Sequence, residues 1–223
     1  MPKVKVPRKS TTIDMTAMCD VAFLLLSFFI LTTKFKPSEA LAVTTPKSVS
    51  TKAVEAKDAV LITLDKDGKA YFSVSDENPS EKMDIIDYID ETKSLGLTKA
   101  EKDAFAKKNA SYIGVPFSQL KQFLNLSTEQ LQAFKAPGIP VTDSASNELV
   151  EWMRAANTAF AGTKMNLMLK GDNSAKYPAF KGIIFAFKKN DIFKFSMVTD
   201  PENAPVGTDL YKTQTSGGKK SEE

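Results

Sequence analysis

A single carboxylate stands inside the most apolar stretch of this chain. From Met15 to Thr33 the sequence runs through nineteen residues, and Asp20 is the only charged one among them. A carboxylate in hydrocarbon is energetically costly and usually serves ion or proton handling. The chemistry that the position of Asp20 indicates is therefore proton binding inside a membrane.

Residues 15–33 have the length and composition of a transmembrane helix. As an α-helix they would rise roughly 28 Å, close to the roughly 30 Å hydrocarbon core of a bilayer. The Leu, Ile, Phe and Val residues contribute about −3 to −5 kcal/mol to insertion, whereas an Asp at the centre costs about 2.5 to 3.5 kcal/mol. Asp20 lies off the centre, toward the N-terminal end, so the sequence predicts that this helix inserts.

The orientation follows from basic residues that precede the apolar run, at Lys3, Lys5, Arg8 and Lys9. The positive-inside rule predicts that residues 1–14 form a cytoplasmic tail and that everything after the span is exported. A cleavable signal peptide is the alternative, with Ala40-Leu41-Ala42 in the place of an A-x-A site. Asp20 and the two lysines that separate the apolar run from that site argue against cleavage.

The remaining composition excludes several classes of function. The formal charge is +3, but residues 1–36 carry six Lys or Arg against two Asp, so the exported part is nearly neutral. It has no basic face with interleaved aromatic residues, and we expect no nucleic-acid partner. There is no histidine and only one cysteine, Cys19. Zinc sites and a Ser-His-Asp hydrolase lack their usual groups, and the sequence indicates no metal or other cofactor.

One short motif could suggest an enzyme. Ser118 and Lys121 have the S-x-x-K spacing of the acyl-enzyme family that includes the penicillin-binding proteins. The companion S-D-N and K-T-G motifs are absent from the chain. We therefore expect that the protein is not an enzyme.

The rest of the chain reads as a linker, an α+β domain and a tail. Residues 34–57 are rich in Pro, Ser, Thr and Ala, which predicts a flexible linker, and residues 201–223 predict a disordered tail. Within the domain, residues 58–200, an Asp-Gly turn at Asp67-Gly68 predicts a β-hairpin. Residues 79–162 predict mainly helices, and the segment that follows predicts a strand, a helix and a strand of a mixed sheet.

Two separate segments resemble the ExbD/TolR family of biopolymer-transport proteins. The span MTAMCDVAFLLLSFFILTT is similar to the family's T-P-L-x-D followed by an apolar run, with Thr16 and Asp20 at the matching positions. The segment from Met165 to Thr199 is similar to the family's C-terminal strand, D-x(4)-Y, helix and strand, with Asp172 and Tyr177 at the marked positions. Two departures stand out, since Ala17 replaces the usual proline and Asn190 replaces a frequent glycine. The helical stretch 79–162 enlarges the compact family domain.

The resemblance implies a single-pass inner-membrane subunit of a motor driven by the proton-motive force, with its C-terminal domain in the periplasm. In that family the subunit works beside multi-span ExbB/TolQ-like proteins and energises a TonB-like protein for transport across the outer membrane. It also implies a homodimer, and Asp20 would be the group that takes up and releases protons. The alternative is a membrane-anchored periplasmic module that binds peptidoglycan or a partner protein, as the TolR branch suggests, and serves envelope integrity.

The proton path within this chain has two further candidate residues. On an α-helix Thr16, Asp20 and Ser27 fall within roughly 60° of one another, so their polar groups share one stripe. Thr16 and Ser27 are therefore candidates to line the path. Alternatively, both hydroxyls bond back to carbonyls of their own helix, as small hydroxyls in membrane helices commonly do.

Overall fold

The computed structural model describes residues 15–32, 43–49, 57–107, 112–142 and 146–202. The chain divides into two compact units, residues 1–38 and residues 39–223. The predicted cytoplasmic tail, residues 1–14, lies outside the described residues, and so do residues 203–223 of the predicted C-terminal tail.

In the described part of the first unit, residues 15–32, the chain forms the helix α1 (Thr16–Thr32). Its large apolar side chains are exposed all round the helix, from 53% for Leu25 to 85% for Leu31. Among the described residues, none of the helices is both long enough and apolar enough to cross a membrane. Thr33, the last residue of the predicted span, lies outside the described ranges.

Within the second unit, the residues just before the domain form a short strand, β1 (Lys47–Ser48). The predicted hairpin follows and is confirmed as β2 (Ala59–Leu64) and β3 (Ala70–Val74), which pair antiparallel. The Asp65 side chain closes the turn, since its Oδ1 accepts from the backbone N–H of Asp67 at 2.9 Å and of Lys69 at 2.8 Å. Gly68 takes a φ of +84°, which a glycine adopts without strain.

The predicted helical stretch is also confirmed. It contains α2 (Pro79–Lys93), α3 (Lys99–Lys107), α4 (Phe117–Leu124), α5 (Thr128–Ala133) and α6 (Leu149–Ala159). Ser127 and Gln130 form the capping box at the start of α5 that their spacing predicts.

The last part of the domain is a strand, a helix and a parallel strand, which is the crossover that the sequence predicts. It consists of β4 (Asn166–Gly171), α7 (Tyr177–Lys189) and β5 (Ser196–Val198), and the chain continues into β6 (Asp200–Pro201). The main sheet has the order β3-β2-β4-β5, with β2 and β3 antiparallel and the other two pairs parallel. The expectation of an α+β domain with a mixed sheet is therefore confirmed.

The core lies between one face of this sheet and the helices. Val60 and Ile62 of β2 and Leu167 and Leu169 of β4 alternate onto the same face and are fully or almost fully buried. Trp152 of α6 is fully buried, and its ring stacks on three phenylalanine rings at centroid distances of 5.1 to 6.1 Å, those of Phe72, Phe105 and Phe117. These rings come from β3, α3 and α4, so the helical stretch is part of the same core as the sheet.

The helical stretch also covers the β3 edge of the sheet. Ile113 and Phe72 exchange two backbone hydrogen bonds, at 2.7 and 2.8 Å, and the N–H of Ile139 donates to the carbonyl of Ala70 at 2.8 Å. Both partners of β3 come from loops within residues 79–162 and not from named strands. An edge strand that would otherwise expose its backbone groups is thus paired along part of its length.

Candidate functional site

Asp20 lies in the second turn of α1, with Thr16 one turn before it. Both residues are exposed, and Ser27 is partly buried. The helix that the structure assigns to residues 16–32 places Thr16, Asp20, Phe23 and Ser27 within roughly 60° of one another around its axis. The geometry thus brings the three sequence-predicted site residues onto one stripe.

The hydroxyl of Ser27 has a partner within its own helix. Its Oγ donates to the backbone carbonyl of Leu24 at 2.9 Å. This is the back-bonding to the helix's own carbonyls that competes with a role in a proton path. The bond must break before the hydroxyl can donate its hydrogen elsewhere. The lining role of Thr16 and Ser27 stays a prediction.

The motif residue Asp172 fastens the chain that enters the domain. One of its carboxylate oxygens accepts from the backbone N–H of Thr44 at 3.0 Å, and the other accepts from the N–H of Ser174 at 2.8 Å. The N–H of Asn173 donates to the carbonyl of Thr44 at 2.9 Å, which adds a second link at the same place. Asp172 therefore joins the end of β4 to a residue that is 128 positions earlier in the chain.

The charge state of Asp172 reflects these bonds. The N–H groups of Ser174 and Thr44 hold the pKa of its carboxyl below the ordinary value, because they stabilise the ionised form. When Asp172 is ionised, both of its carboxylate oxygens can accept these hydrogen bonds. The structure thus gives this motif residue the role of positioning Thr44.

The segment that contains Thr44 also pairs with the strand that follows β5. Lys47 and Ser48 of β1 lie parallel to Asp200 and Pro201 of β6. Residues 43–49 belong to the predicted flexible linker, and these contacts attach them to the domain. Residues 34–42 and 50–56 of that linker lie outside the described residues.

Tyr177, the second residue of the motif, begins α7 and faces outward. Its side chain is 72% exposed, and its ring lies 6.5 Å from that of Phe180. Asp172 and Tyr177 therefore differ in kind, since Asp172 is bonded within the domain whereas Tyr177 offers an aromatic surface to solvent.

The departure at Asn190 has a structural explanation. Asn190 has a φ of −108°, so this position does not need the conformational freedom of glycine. Its side-chain amide donates to the carbonyls of Val150 and Ala186 at 3.0 and 2.9 Å. The asparagine thereby ties the end of α7 to α6.

The S-x-x-K residues do not form a nucleophile and its base. Ser118 is exposed on α4, and the ammonium group of Lys121 donates to the carbonyl of Gly96 at 2.8 Å. This bond links α4 to the loop between α2 and α3, so Lys121 has a structural partner. Within the described ranges, no group of three Cys, Asp or Glu residues could hold a metal ion.

Sequence reasoning missed one carboxylate with unusual surroundings. Glu148 is partly buried before α6, and its Oε2 accepts from the backbone N–H of Phe117 at the start of α4, at 2.7 Å. Burial raises the pKa of the Glu148 carboxyl, because the ionised form loses its hydration. The two residues are 31 positions apart, so no local sequence pattern predicts that Glu148 caps the start of α4.

Comparison with known proteins identifies one family. The sequence model described as "Biopolymer transport protein ExbD/TolR" matches residues 7–202, which includes both the apolar run and the C-terminal motif. No curated protein and no solved structure matches the chain significantly.

Proposed function

Because this chain belongs to the ExbD/TolR family of biopolymer transport proteins, we propose that it is the inner-membrane subunit of a motor driven by the proton-motive force. It works beside multi-span subunits of the ExbB/TolQ type and energises a TonB-like protein for transport across the outer membrane. The family is one of transport proteins and not of enzymes, and the family match carries the proposal.

The proposed anchor is α1 together with residues that flank it. The apolar side chains around α1 are exposed on all sides, and a helix that is apolar all round is stable only when protein or lipid surrounds it. Its 17 residues rise roughly 26 Å, at the short end of the range for spans. The basic residues before α1 keep the N-terminus in the cytoplasm, so the domain after α1 is periplasmic.

The proposed proton-binding group is Asp20. The protonated carboxyl is neutral and tolerates an apolar environment, whereas the ionised carboxylate requires a polar partner or water. Movement of α1 between two such environments on the neighbouring multi-span subunits would capture a proton on one side and release it on the other. One charge that crosses 100 mV supplies about 2.3 kcal/mol, so several protons can drive a sizeable movement.

The counterpart of Asp20 belongs to another subunit in this proposal. Thr16 is the polar residue of the stripe that lies one helical turn away, and the hydroxyl of Ser27 is bonded to Leu24. The remaining neighbours on this face are apolar, such as Phe23. A polar group on the multi-span partner must therefore complete the path.

The experiment is the substitution Asp20→Asn in the full chain, made in the native membrane. Asparagine keeps size and polarity but cannot titrate, so we expect loss of energised outer-membrane transport while the protein still inserts and copurifies with its multi-span neighbour. Asp20→Glu keeps a titratable group and is expected to retain part of the activity. Transport at the wild-type level in the Asp20→Asn variant would contradict proton binding by Asp20 as the driving step. The helix α1 would then serve only as a membrane anchor.

A chemical probe tests the same residue without knowledge of the cargo. A hydrophobic carbodiimide reacts with protonated carboxyl groups in apolar surroundings. We expect it to label the wild-type peptide that contains Asp20 in membranes, less as the pH rises, and to leave the Asp20→Asn peptide unlabelled. Labelling of wild-type and variant to the same extent would contradict the assignment.

A further inference from the structure

Charge is distributed unevenly within the second unit of the chain. Residues 176–194, which include α7 and the loop after it, contain five Lys against one Asp, for a net charge of +4. Residues 76–103, which include α2 and α3, contain nine Asp or Glu against four Lys, for a net charge of −5. The region of α7 is therefore a strongly basic part of a domain that is almost neutral as a whole.

Two of these lysines lie on the side of α7 that points away from the core. Tyr177, Lys181, Ile184 and Lys188 follow one another at spacings of four, three and four residues, so they share one face of the helix. The side chains that α7 buries in the core lie on the opposite face. Lys181 and Lys188 are exposed, and neither forms a salt bridge within the described part of the chain. These four residues define the basic face of α7.

Aromatic side chains are exposed at both ends of this basic face. Tyr177 at the start of α7 is 72% exposed, and Phe193, four residues after its end, is also 72% exposed. Lys194, next to Phe193, is exposed as well. Lysines beside aromatic rings suit a membrane interface, where the rings lie at the level of the headgroups and the ammonium groups meet anionic phosphates. A hydrated acidic polymer would neutralise the lysines but leave the rings in water.

The chain that follows α1 enters the domain close to the start of α7. Eleven residues, 33–43, separate α1 from Thr44, and the backbone N–H of Thr44 donates to the Asp172 carboxylate at 3.0 Å. Asp172 precedes Tyr177 by five residues. Eleven residues reach at most about 40 Å even when fully extended. With α1 in a bilayer, the lipid headgroups are thus an anionic surface within reach of the basic face.

We propose that the basic face of α7 docks on the anionic phospholipid headgroups of the membrane in which α1 is anchored. The inference rests on the proposed role of α1 as the anchor and does not involve proton binding at Asp20. An anionic surface attracts the region of α7 and repels the acidic region of α2, so charge favours contact through α7. The apolar face of α7 is already buried in the core of the domain, so the contact is peripheral and the helix does not insert.

The test uses the full chain in phosphatidylcholine vesicles, either pure or with about 30% phosphatidylglycerol. In a Cys19→Ala background, Tyr177→Cys carries a fluorescent label, and a nitroxide on the lipid headgroups quenches any label that lies at the membrane surface. We expect at least about twofold stronger quenching in the anionic vesicles than in the zwitterionic ones, and a return to the zwitterionic level at about 0.5 M NaCl, because salt screens the lysines. The control is a label at Ser118→Cys, exposed on α4, which should be quenched equally in both kinds of vesicle.

Two double variants of the labelled protein separate a specific contact from the effect of net charge. Lys181→Gln with Lys188→Gln removes both lysines of the basic face, and we expect quenching in anionic vesicles to fall to the zwitterionic level. Lys99→Gln with Lys135→Gln removes the same charge from exposed positions outside α7 and should leave the quenching unchanged. Fluorescence of the buried Trp152 in the unlabelled variants checks that both are folded.

Flotation of the vesicles in a density gradient distinguishes failure of this inference from failure of the anchor. Equal quenching in the two kinds of vesicle, or an equal loss in the two double variants, contradicts docking through α7 when the chain floats with the vesicles. A chain that floats with neither kind of vesicle would contradict α1 as the membrane anchor, and with it this inference. If purified peptidoglycan sediments wild type but not the variant without Lys181 and Lys188, while quenching is the same in both kinds of vesicle, the basic face binds the cell wall and not lipid.

Discussion

Asp20, Asp172 and Glu148 carry the same functional group in three different surroundings. Asp20 is exposed on an apolar helix, Asp172 accepts two backbone N–H groups, and Glu148 is partly buried against the start of α4. The bonds lower the pKa of Asp172, whereas burial raises that of Glu148. At the residue scale, environment decides which carboxylate is a structural acceptor and which is a candidate for proton exchange.

The raised pKa of Glu148 gives a pH prediction. A carboxyl whose pKa is higher in the folded than in the unfolded state stabilises the fold below its ordinary pKa, and this stabilisation is lost as the pH rises through the raised value. Gln keeps the acceptor for the Phe117 N–H but does not titrate. We therefore expect the free energy of unfolding of wild type, relative to Glu148→Gln, to fall as the pH rises from about 4 toward neutrality.

The measurement is urea unfolding of both proteins at several pH values, followed by fluorescence. A difference between wild type and Glu148→Gln that stays constant over this range would show that burial does not control this carboxyl.

At the scale of secondary-structure elements, α7 joins the crossover to the helices of residues 79–162. It packs so closely at Gly182 that a β-carbon there would lie 1.9 Å from the Val141 carbonyl oxygen. The amide of buried Asn147 donates to the carbonyls of Gly182 and Val141, at 2.8 and 3.3 Å. Gly182 is therefore required for close approach and not for a special φ.

We expect Gly182→Ala to destabilise the domain by about 1–3 kcal/mol, because the backbone of residue 141 must move and the Asn147 bonds are strained. The matched control is Gly171→Ala, where a β-carbon has no neighbouring atom within 4 Å. It should change stability by less than about 0.5 kcal/mol. Equal effects of the two substitutions in urea unfolding would contradict the close-packing explanation.

The strand β1 and its link to Asp172 give a second prediction at this scale. Asp172→Ala removes the acceptor of the Thr44 N–H, so residues 43–49 should open more often while the main sheet remains folded. Limited trypsin digestion is expected to cleave after Lys47 faster in this variant. Asn173→Ala is the control, because its link to Thr44 uses only the backbone. Cleavage at an unchanged rate would show that β1 and β6 hold this segment without Asp172.

At the scale of the whole molecule, the second unit carries its own core. Every buried apolar side chain among the described residues lies between Ala59 and Phe187. We therefore expect residues 39–223 to fold without the first unit and to unfold in one cooperative transition. Far-ultraviolet circular dichroism and Trp152 fluorescence should give coincident curves. Transitions that differ between the two probes would show that the domain does not unfold as one cooperative unit. Spectra of an unfolded chain for residues 39–223 would show that the domain needs the first unit.

Local patterns predicted the hairpin, the helices and the crossover of this domain, but they did not predict the short strands β1 and β6. The Asp-Gly turn predicted the hairpin, the Ser127–Gln130 spacing predicted a helix start, and the strand, helix and strand after residue 165 predicted the crossover. Each of these depends on residues within a few positions of one another, so their physical cause is visible in the sequence. The Glu148 cap and the Asp172 link join residues 31 and 128 positions apart and could not be predicted in this way.

The sequence by itself determined the family resemblance, the single carboxylate in the apolar run and the α+β class, because each is a property of residue type and local spacing. Only the tertiary structure decided that residues 79–162 pair with the β3 edge, that Asp172 holds Thr44, and that α6 packs against both α2 and α7. These features arise from contacts between distant segments, and such contacts exist only after the sheet and helices have packed around one core.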